Sequence, residues 1–383
     1  MDTTNAFLQE LARLKENGNL RSLPEIAPDG KWIQTEKGKL LNLSSNDYLG
    51  LAGDLKLRSE FLNQLSVNSA LFSSTSSRLL TGNYPVYQRV ENLLAELYHA
   101  EAALFFSSGY HMNMGILPAI SDSKTLILAD KLVHASMIDG IRLSAAKCIR
   151  FRHQDYQQLA ALVEKYHNTY SKIIVVTESI FSMDGDVAPL TQLVALKRAY
   201  TNVLLYVDEA HAVGARGIRG LGIAEEQNCI QDIDFLCGTM GKALASMGAY
   251  VICSQLVKDY LINKMRTLIF TTALPPVQME WTEFVLKHIA DLTDRRKWLH
   301  DASAIIQETL VERGYSSPSA SQILPMIIGS SQDTIIKAED MQRKGFYILP
   351  VRPPTVPEGT SRLRISLTAS ITPEELLKLK EQI

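Results

Sequence analysis

A chain of 383 residues, 46% hydrophobic and 21% charged, is long enough for one large globular core with a smaller companion. Its 39 basic and 41 acidic side chains leave a net charge of −2, which gives no electrostatic case for nucleic acid or an anionic membrane. Four scattered cysteines (Cys148, Cys229, Cys237, Cys253) form no C-x-x-C pair and no His/Cys cluster at ligand spacing, so a reduced, cytoplasmic protein without bound metal is expected.

At the start, Asn5 to Lys15 reads as an amphipathic helix with Phe7, Leu8, Leu11 and Leu14 on one face, not as a signal peptide. No apolar run further on is long enough to span a bilayer. Helical spacing is expected over Ser59–Leu71 and Val86–His99, with a Ser/Thr/Gly-rich loop between them. The chain then alternates. Apolar runs at Ala102–Phe106, Leu126–Ala129, Lys147–Phe151, Ile173–Thr177, Val203–Val207, Phe235–Cys237 and Tyr250–Cys253 are mostly separated by helical segments such as Tyr156–Tyr166 and Leu190–Ala199. That pattern predicts an α/β fold with a mostly parallel central sheet covered by helices on both faces. Beyond Pro275-Pro276 a long helical stretch, Val277–Gly314, precedes short strands at Ile323–Ile328, Tyr347–Val351 and Arg362–Leu367 and helices at Thr334–Lys344 and Pro373–Gln382. The expected organisation is an N-terminal segment (1–45), a large α/β domain (46–276) and a smaller C-terminal α+β domain (277–383).

Ligands of open parallel sheets bind beyond the carboxyl ends of the strands. Here those ends carry Ser107-Ser108-Gly109-Tyr110, Asp130 with His134, Glu178 with Ser182, Asp208-Glu209-Ala210-His211, and Gly238-Thr239 with Lys242. Separately, each has an ordinary structural role: a helix cap for Asp208, a turn at Ser107–Gly109, a satisfied imidazole for His134. Their joint placement favours chemistry. Lys242, hemmed by glycine and with few carboxylates in its neighbourhood of the sequence, suits a nucleophilic amine whose pKa burial lowers. The tetrad Asp208–His211 also occurs in helicases, but none of Gly30-Lys31, Gly38-Lys39 and Gly241-Lys242 has the spacing of a P-loop, which excludes that class.

The stretches SSNDYLGL (Ser44–Leu51), HASMIDG (His134–Gly140), TESIFSMDGDVAPL (Thr177–Leu190), DEAH (Asp208–His211), TMGKA (Thr239–Ala243), FTTALPP (Phe270–Pro276) and RPPTVPEGTSRLRISLTA (Arg352–Ala369) resemble the α-oxoamine synthases. These are fold type I pyridoxal-phosphate transferases, and the resemblance runs from Leu20-Arg21 to the last helix. It implies that Lys242 carries pyridoxal 5'-phosphate, that Asp208 pairs with the ring nitrogen, and that His134 stacks on the ring and reaches the substrate. Lys242, His134 and Asp208 form the implied catalytic set. His211 and Ser182 would bond around the phenolic oxygen. Gly109, Tyr110 and Thr239 would hold the phosphate, with Thr271 or Thr272 supplied by the second subunit of a homodimer that shares its active sites. Arg21, Asn46, His134, Thr355 and Arg364 would handle substrate carboxylates and the acyl donor.

Within the family, Arg352-Pro353-Pro354-Thr355-Val356-Pro357 is similar to the member that condenses L-alanine with a pimeloyl thioester in biotin synthesis, the preferred expectation. His134–Leu143 is more similar to the member that uses glycine and acetyl-CoA. The usual Gly-rich run before Ser-Arg is replaced by Phe72–Arg78, and the histidine expected after Gly82 is missing. A catalytically silent partner subunit is the alternative of a different class; such subunits lack the lysine, so Lys242 argues against it.

Overall fold

The computed structural model describes residues 3–36, 38–68 and 70–383. They form two compact units. One comprises the chain up to Asp54 with Ser182–Asp186 and Lys297–Ile383; the other comprises Leu55–Phe181 and Val187–Arg296.

The first unit begins with α1 (Thr3–Glu16), on which Phe7, Leu8 and Leu11 stay exposed. An antiparallel meander follows, made of β1 (Ala27–Asp29), β2 (Trp32–Thr35) and β3 (Gly38–Asn42).

The second unit contains α2 (Leu55–Gln64), α3 (Pro85–Leu97) and seven strands: β4 (Ala102–Phe106), β5 (Thr125–Asp130), β6 (Lys147–Phe151), β7 (Lys172–Glu178), β8 (Val203–Asp208), β9 (Phe235–Thr239) and β10 (Ala249–Cys253). Helix α2 starts and stops earlier than the predicted Ser59–Leu71, and Ser69 of that stretch lies outside the described residues. The strand order is β4-β10-β9-β8-β7-β5-β6. Ladders from β9 through β8, β7 and β5 to β6 are parallel, and β10 alone runs antiparallel to both its neighbours. Ile127, Ala129, Ile174, Val176 and Tyr206 pack on one face with Met112 and Ile116 of α4 (Gly109–Ala119) and Met137 and Ile141 of α5 (Ala135–Leu143). The intervening Leu126, Leu128, Ile173 and Val175 are equally buried, so both faces are covered and the strands read as unbroken apolar runs. Several strands extend beyond their apolar run, and Asp130, Glu178, Asp208 and Thr239 are their last residues.

The long helical stretch after Pro275 is two helices, Pro276–His288 and Thr293–Glu312, separated by a 3-10 turn at Ile289–Asp291. Arg296 explains the break. Its buried guanidinium donates to the carbonyls of Ile289 (2.7 Å) and Ala290 (3.0 Å), acceptors that a continuous helix would have used itself, and to the Ile218 carbonyl (2.7 Å).

The first unit resumes with β11 (Ile323–Gly329), β12 (Phe346–Tyr347), β13 (Pro350–Val351) and β14 (Ser361–Ser366). The predicted Tyr347–Val351 strand is divided between two sheets: β12 joins β3 in parallel, whereas β13 pairs with β14. Between them the Leu349 N–H is taken by Ser44 Oγ at 2.8 Å, and Pro350 has no N–H to offer. The β3–β12 pairing clusters the N-terminal residues with the C-terminal ones. The compact units divide at 54/55 and 296/297, with Ser182–Asp186 grouped in the first.

Candidate active site

In the second unit the carboxyl ends of the strands surround a cavity of about 200 Å³, lined by Gly109, Tyr110, His134, Asp208, His211, Thr239 and Lys242 among others. Seven residues that the sequence pointed to are thus brought together. Lys242 lies in the turn between β9 and β10, half-buried, with its amine 2.8 Å from His211 Nε2. Asp208 is 6% exposed and accepts from Asn113 Nδ2 and from the Ala210 N–H, both at 2.9 Å. These bonds hold a carboxyl group by its acceptor oxygens. The tetrad splits its labour. Asp208 and His211 line the cavity, while Glu209 is fully buried elsewhere and accepts from Ser179 Oγ (2.7 Å) and the N–H groups of Ile223 (2.9 Å) and Ala224 (2.7 Å). Burial pushes the Glu209 carboxyl up to about 7.

His134 is open on the cavity side, yet enough protein surrounds the rest of its ring that burial pulls the imidazole below the ordinary histidine range. Glu178 stands opposite Asp208 in the β7–β8 ladder and is 3% exposed. Burial first, and then the Asp208 charge, hold its carboxyl well above the usual range. Its Oε1 is buried with no hydrogen-bond partner among the described residues.

At the N-terminus of α4, Ser108 Oγ accepts the His111 N–H (3.2 Å) and caps the helix, which leaves the Gly109 and Tyr110 amides as the orphan donors of the first turn. A Cβ built on Gly109 would meet only Thr239 Oγ1, at 4.0 Å, so the space above the helix end is clear. Thr239 Oγ1 is itself held, donating to the Gly248 carbonyl (3.0 Å).

Thr271 and Thr272 do not line this cavity; Thr272 is exposed and bridges to Ser77. Ser182 belongs to the other unit, where its carbonyl accepts from Arg364 Nε at 2.6 Å. The remaining Arg364 partners are Asn46 Oδ1 (3.3 Å), Tyr48 Oη (3.3 Å) and Ser366 Oγ (2.6 Å), all neutral. In the same unit Arg21 donates to Thr355 Oγ1 (2.9 Å), and Arg352 donates to the Gly18 carbonyl. Burial, and then the nearby charge of Arg21, lower the Arg352 pKa. Asn113 and Ser136 line the cavity although neither was singled out from the sequence. The one available signal for Asn113 was a lone amide within the apolar stretch Met112–Leu117.

Residues 38–383 match the family model of class I and II aminotransferases, and the chain belongs to that family. It is a fold type I, pyridoxal-phosphate-dependent acyltransferase of the α-oxoamine synthase group. A Haemophilus influenzae protein named "Putative 8-amino-7-oxononanoate synthase" is 53% identical over 372 residues, covering 97% of this chain and 98% of that protein. Among solved structures, a serine palmitoyltransferase carrying pyridoxal phosphate superimposes with a TM-score of 0.88 at 25% identity, covering 100% of this chain and 97% of the other. The 8-amino-7-oxononanoate synthase of Francisella tularensis gives 0.77 at 27% identity, covering 90% and 96%. The residues present fit the cofactor. They provide an amine, an orphaned carboxyl oxygen, a fixed Asp208 and an unobstructed helix N-terminus around one cavity. Among the described residues no helix is long and apolar enough to cross a membrane, and no group of three His, Cys, Asp or Glu could hold a metal ion.

Proposed function

We propose that the enzyme condenses L-alanine with a pimeloyl thioester, releasing carbon dioxide and free thiol, to give 8-amino-7-oxononanoate in biotin synthesis. One observation carries the donor assignment. Arg21 and Arg352 lie in each other's field, and their hydrogen bonds go to a hydroxyl and a carbonyl, not to an acid. Two such guanidinium groups suit the far carboxylate of a dicarboxylic acyl chain, a group that acetyl and palmitoyl donors lack.

Bound pyridoxal phosphate supplies an electron sink that stabilises negative charge at alanine Cα. The chain's own side chains do the rest. Lys242 holds the cofactor, removes the Cα proton and later returns one to the same carbon, which makes a second base unnecessary. A carbon–carbon bond then forms to the thioester carbonyl, the carbon–sulfur bond breaks and the thiol leaves with a proton. Alanine's carboxylate departs as carbon dioxide. Asp208 pairs with the ring nitrogen, and His134 covers the ring and donates to the substrate. His211 and Ser182 serve the phenolic oxygen; Gly109, Tyr110 and Thr239 hold the phosphate. Arg364 with Asn46 receives alanine's carboxylate, and Thr355 supports Arg21. The enzyme acts as a homodimer in which Thr271 and Thr272 of the partner subunit complete the phosphate site. Exposed Phe72, Leu80 and Phe270 give that dimer apolar surface to bury.

Thiol release should be measured with L-alanine, glycine and L-serine crossed with pimeloyl-, acetyl-, succinyl- and palmitoyl-CoA. Release with alanine and pimeloyl-CoA alone is expected. Preferred use of glycine and acetyl-CoA would overturn the substrate assignment while leaving the family intact.

A further inference from the structure

Along one wall of the cavity lies a set of buried polar groups that the reaction above does not use. Asn113 (2% exposed), Ser136 (1%) and Tyr206 (0%) come from α4, α5 and β8. Asn113 Nδ2 lies 2.9 Å from Asp208 Oδ2 and 3.0 Å from Ser136 Oγ, and Tyr206 Oη is 2.6 Å from Asn113 Oδ1. Ser136 Oγ is in turn 2.8 Å from His134 Nδ1, which also accepts the Ser136 N–H at 3.2 Å.

The proton arrangement follows from what each group can donate. The Asp208 carboxylate only accepts, so the amide's NH₂ must face it and the amide's carbonyl must face Tyr206. Tyr206 therefore donates, as its burial-raised pKa also requires. The second Asn113 N–H goes to Ser136 Oγ, whose own proton is then available only for His134 Nδ1. With Nδ1 accepting from both the Ser136 hydroxyl and the Ser136 amide, a neutral His134 must carry its proton on Nε2, the nitrogen turned away from this network.

We propose that Asn113 is a positioning residue: oriented by Tyr206, its carboxamide fixes the Asp208 carboxylate and, through Ser136, sets His134 as the Nε2–H tautomer. Asp208 and His134, which serve the edge and the face of the cofactor ring, are thereby oriented by one side chain. Three ionisable groups bear on His134: Asp208 and Asp139 favour its charged form, and Lys242 opposes it. Burial outweighs the two acids and keeps the imidazole neutral, the state in which a tautomer preference has meaning. This inference rests on the reading of Asp208 as the partner of the ring nitrogen.

The test uses holoenzyme labelled with ¹⁵N at histidine, with His134 assigned by the signal lost in His134→Gln. In the unaltered protein a protonated Nε2 and an unprotonated Nδ1 are expected. Asn113→Ala should convert this into a mixture of tautomers and move the pH at which the bound cofactor's visible band titrates. It should also lower kcat about ten- to a hundred-fold, with a far smaller change in KM for the acyl donor. Tyr206→Phe, which keeps its ring against Phe235 (5.9 Å), should move the same two signatures less, and decides the matter if Asn113→Ala does not fold. An unchanged tautomer and an unchanged band titration in these variants, whatever their stability, would overturn the proposal. If the unaltered protein showed no visible band at all, the cofactor reading of the site would fail instead, and the His134 signal would still decide the role of Asn113.

Discussion

Asp208 and Arg21 are both charged, and the structure treats them in opposite ways. Asp208 is 6% exposed at the end of a central strand, with two N–H donors on its oxygens and a bonded network behind one of them. Arg21 is exposed, precedes the first strand of its own unit, and meets a single threonine hydroxyl. The contrast extends to their neighbours. In the unit of Lys242, the groups assigned to bond-making are set by ladders, caps and buried hydrogen bonds, because a misplacement of about 1 Å costs orders of magnitude in rate. In the other unit, the groups assigned to carboxylates are long guanidinium side chains with neutral partners. They need only present charge and a planar donor fork to a ligand that brings its own acid.

If that division is right, Lys242→Ala should have the largest effect, lowering turnover roughly a thousand-fold or more with every donor and abolishing the visible band. Full turnover by this variant would remove the basis of the whole reading. A smaller and selective effect is expected from Arg352→Ala. KM for pimeloyl-CoA should rise about ten-fold or somewhat more, the value of one charged hydrogen bond, while kcat and any activity with acetyl-CoA stay nearly unchanged. Should Arg352→Ala act on kcat with all donors alike, the separation of chemistry from recognition is wrong.

The smallest effect concerns the scaffold around Glu209. Its folded pKa of about 7 lies above the ordinary 4.5. Below about pH 4.5 both folded and unfolded chains hold the proton, so burial costs nothing. As pH rises towards 7 the unfolded chain releases the proton while the folded one keeps it, and stability falls by about 3 kcal/mol at most, then levels off. Urea denaturation of the unaltered protein and Glu209→Gln at several pH values from about 5 to 8 checks this. The stability of the unaltered protein relative to the variant should decline up to about pH 7; a pH-independent difference would show that Glu209 is ionised throughout.

The large sheet was readable because parallel strands buried on both faces are written as continuous apolar runs, and each polar residue ending a run marks the ligand-binding edge. Lys242, Asp208, His134 and Thr239 were found in that way. Asn113 was not, since its partners Tyr206 and Asp208 lie far along the chain and no local pattern announces such a pairing. The break at Ile289 was equally hidden, because it depends on a guanidinium turned back onto carbonyls. Arg21, Asn46, Thr355 and Arg364 have no periodicity to reveal them and entered only through family resemblance. The grouping of the two ends of the chain rests on a two-residue ladder between β3 and β12, too short and too distant in sequence to be seen.

The reversed strand β10 gives the lysine turn a property that the helical crossovers lack. Residues 240–248 join adjacent antiparallel strands directly, with Thr239 opposite Ala249 and the turn closed by Met240 N–H to the Gly248 carbonyl (2.9 Å) and Ser246 N–H to the Met240 carbonyl (2.8 Å). A crossover that returns through a helix can absorb an added residue in its loops. Here one residue more or less would slip β10 against both β9 and β4, exchanging its inward and outward faces. The length of the segment bearing Lys242 is therefore fixed by the pairing of β10 on both its edges.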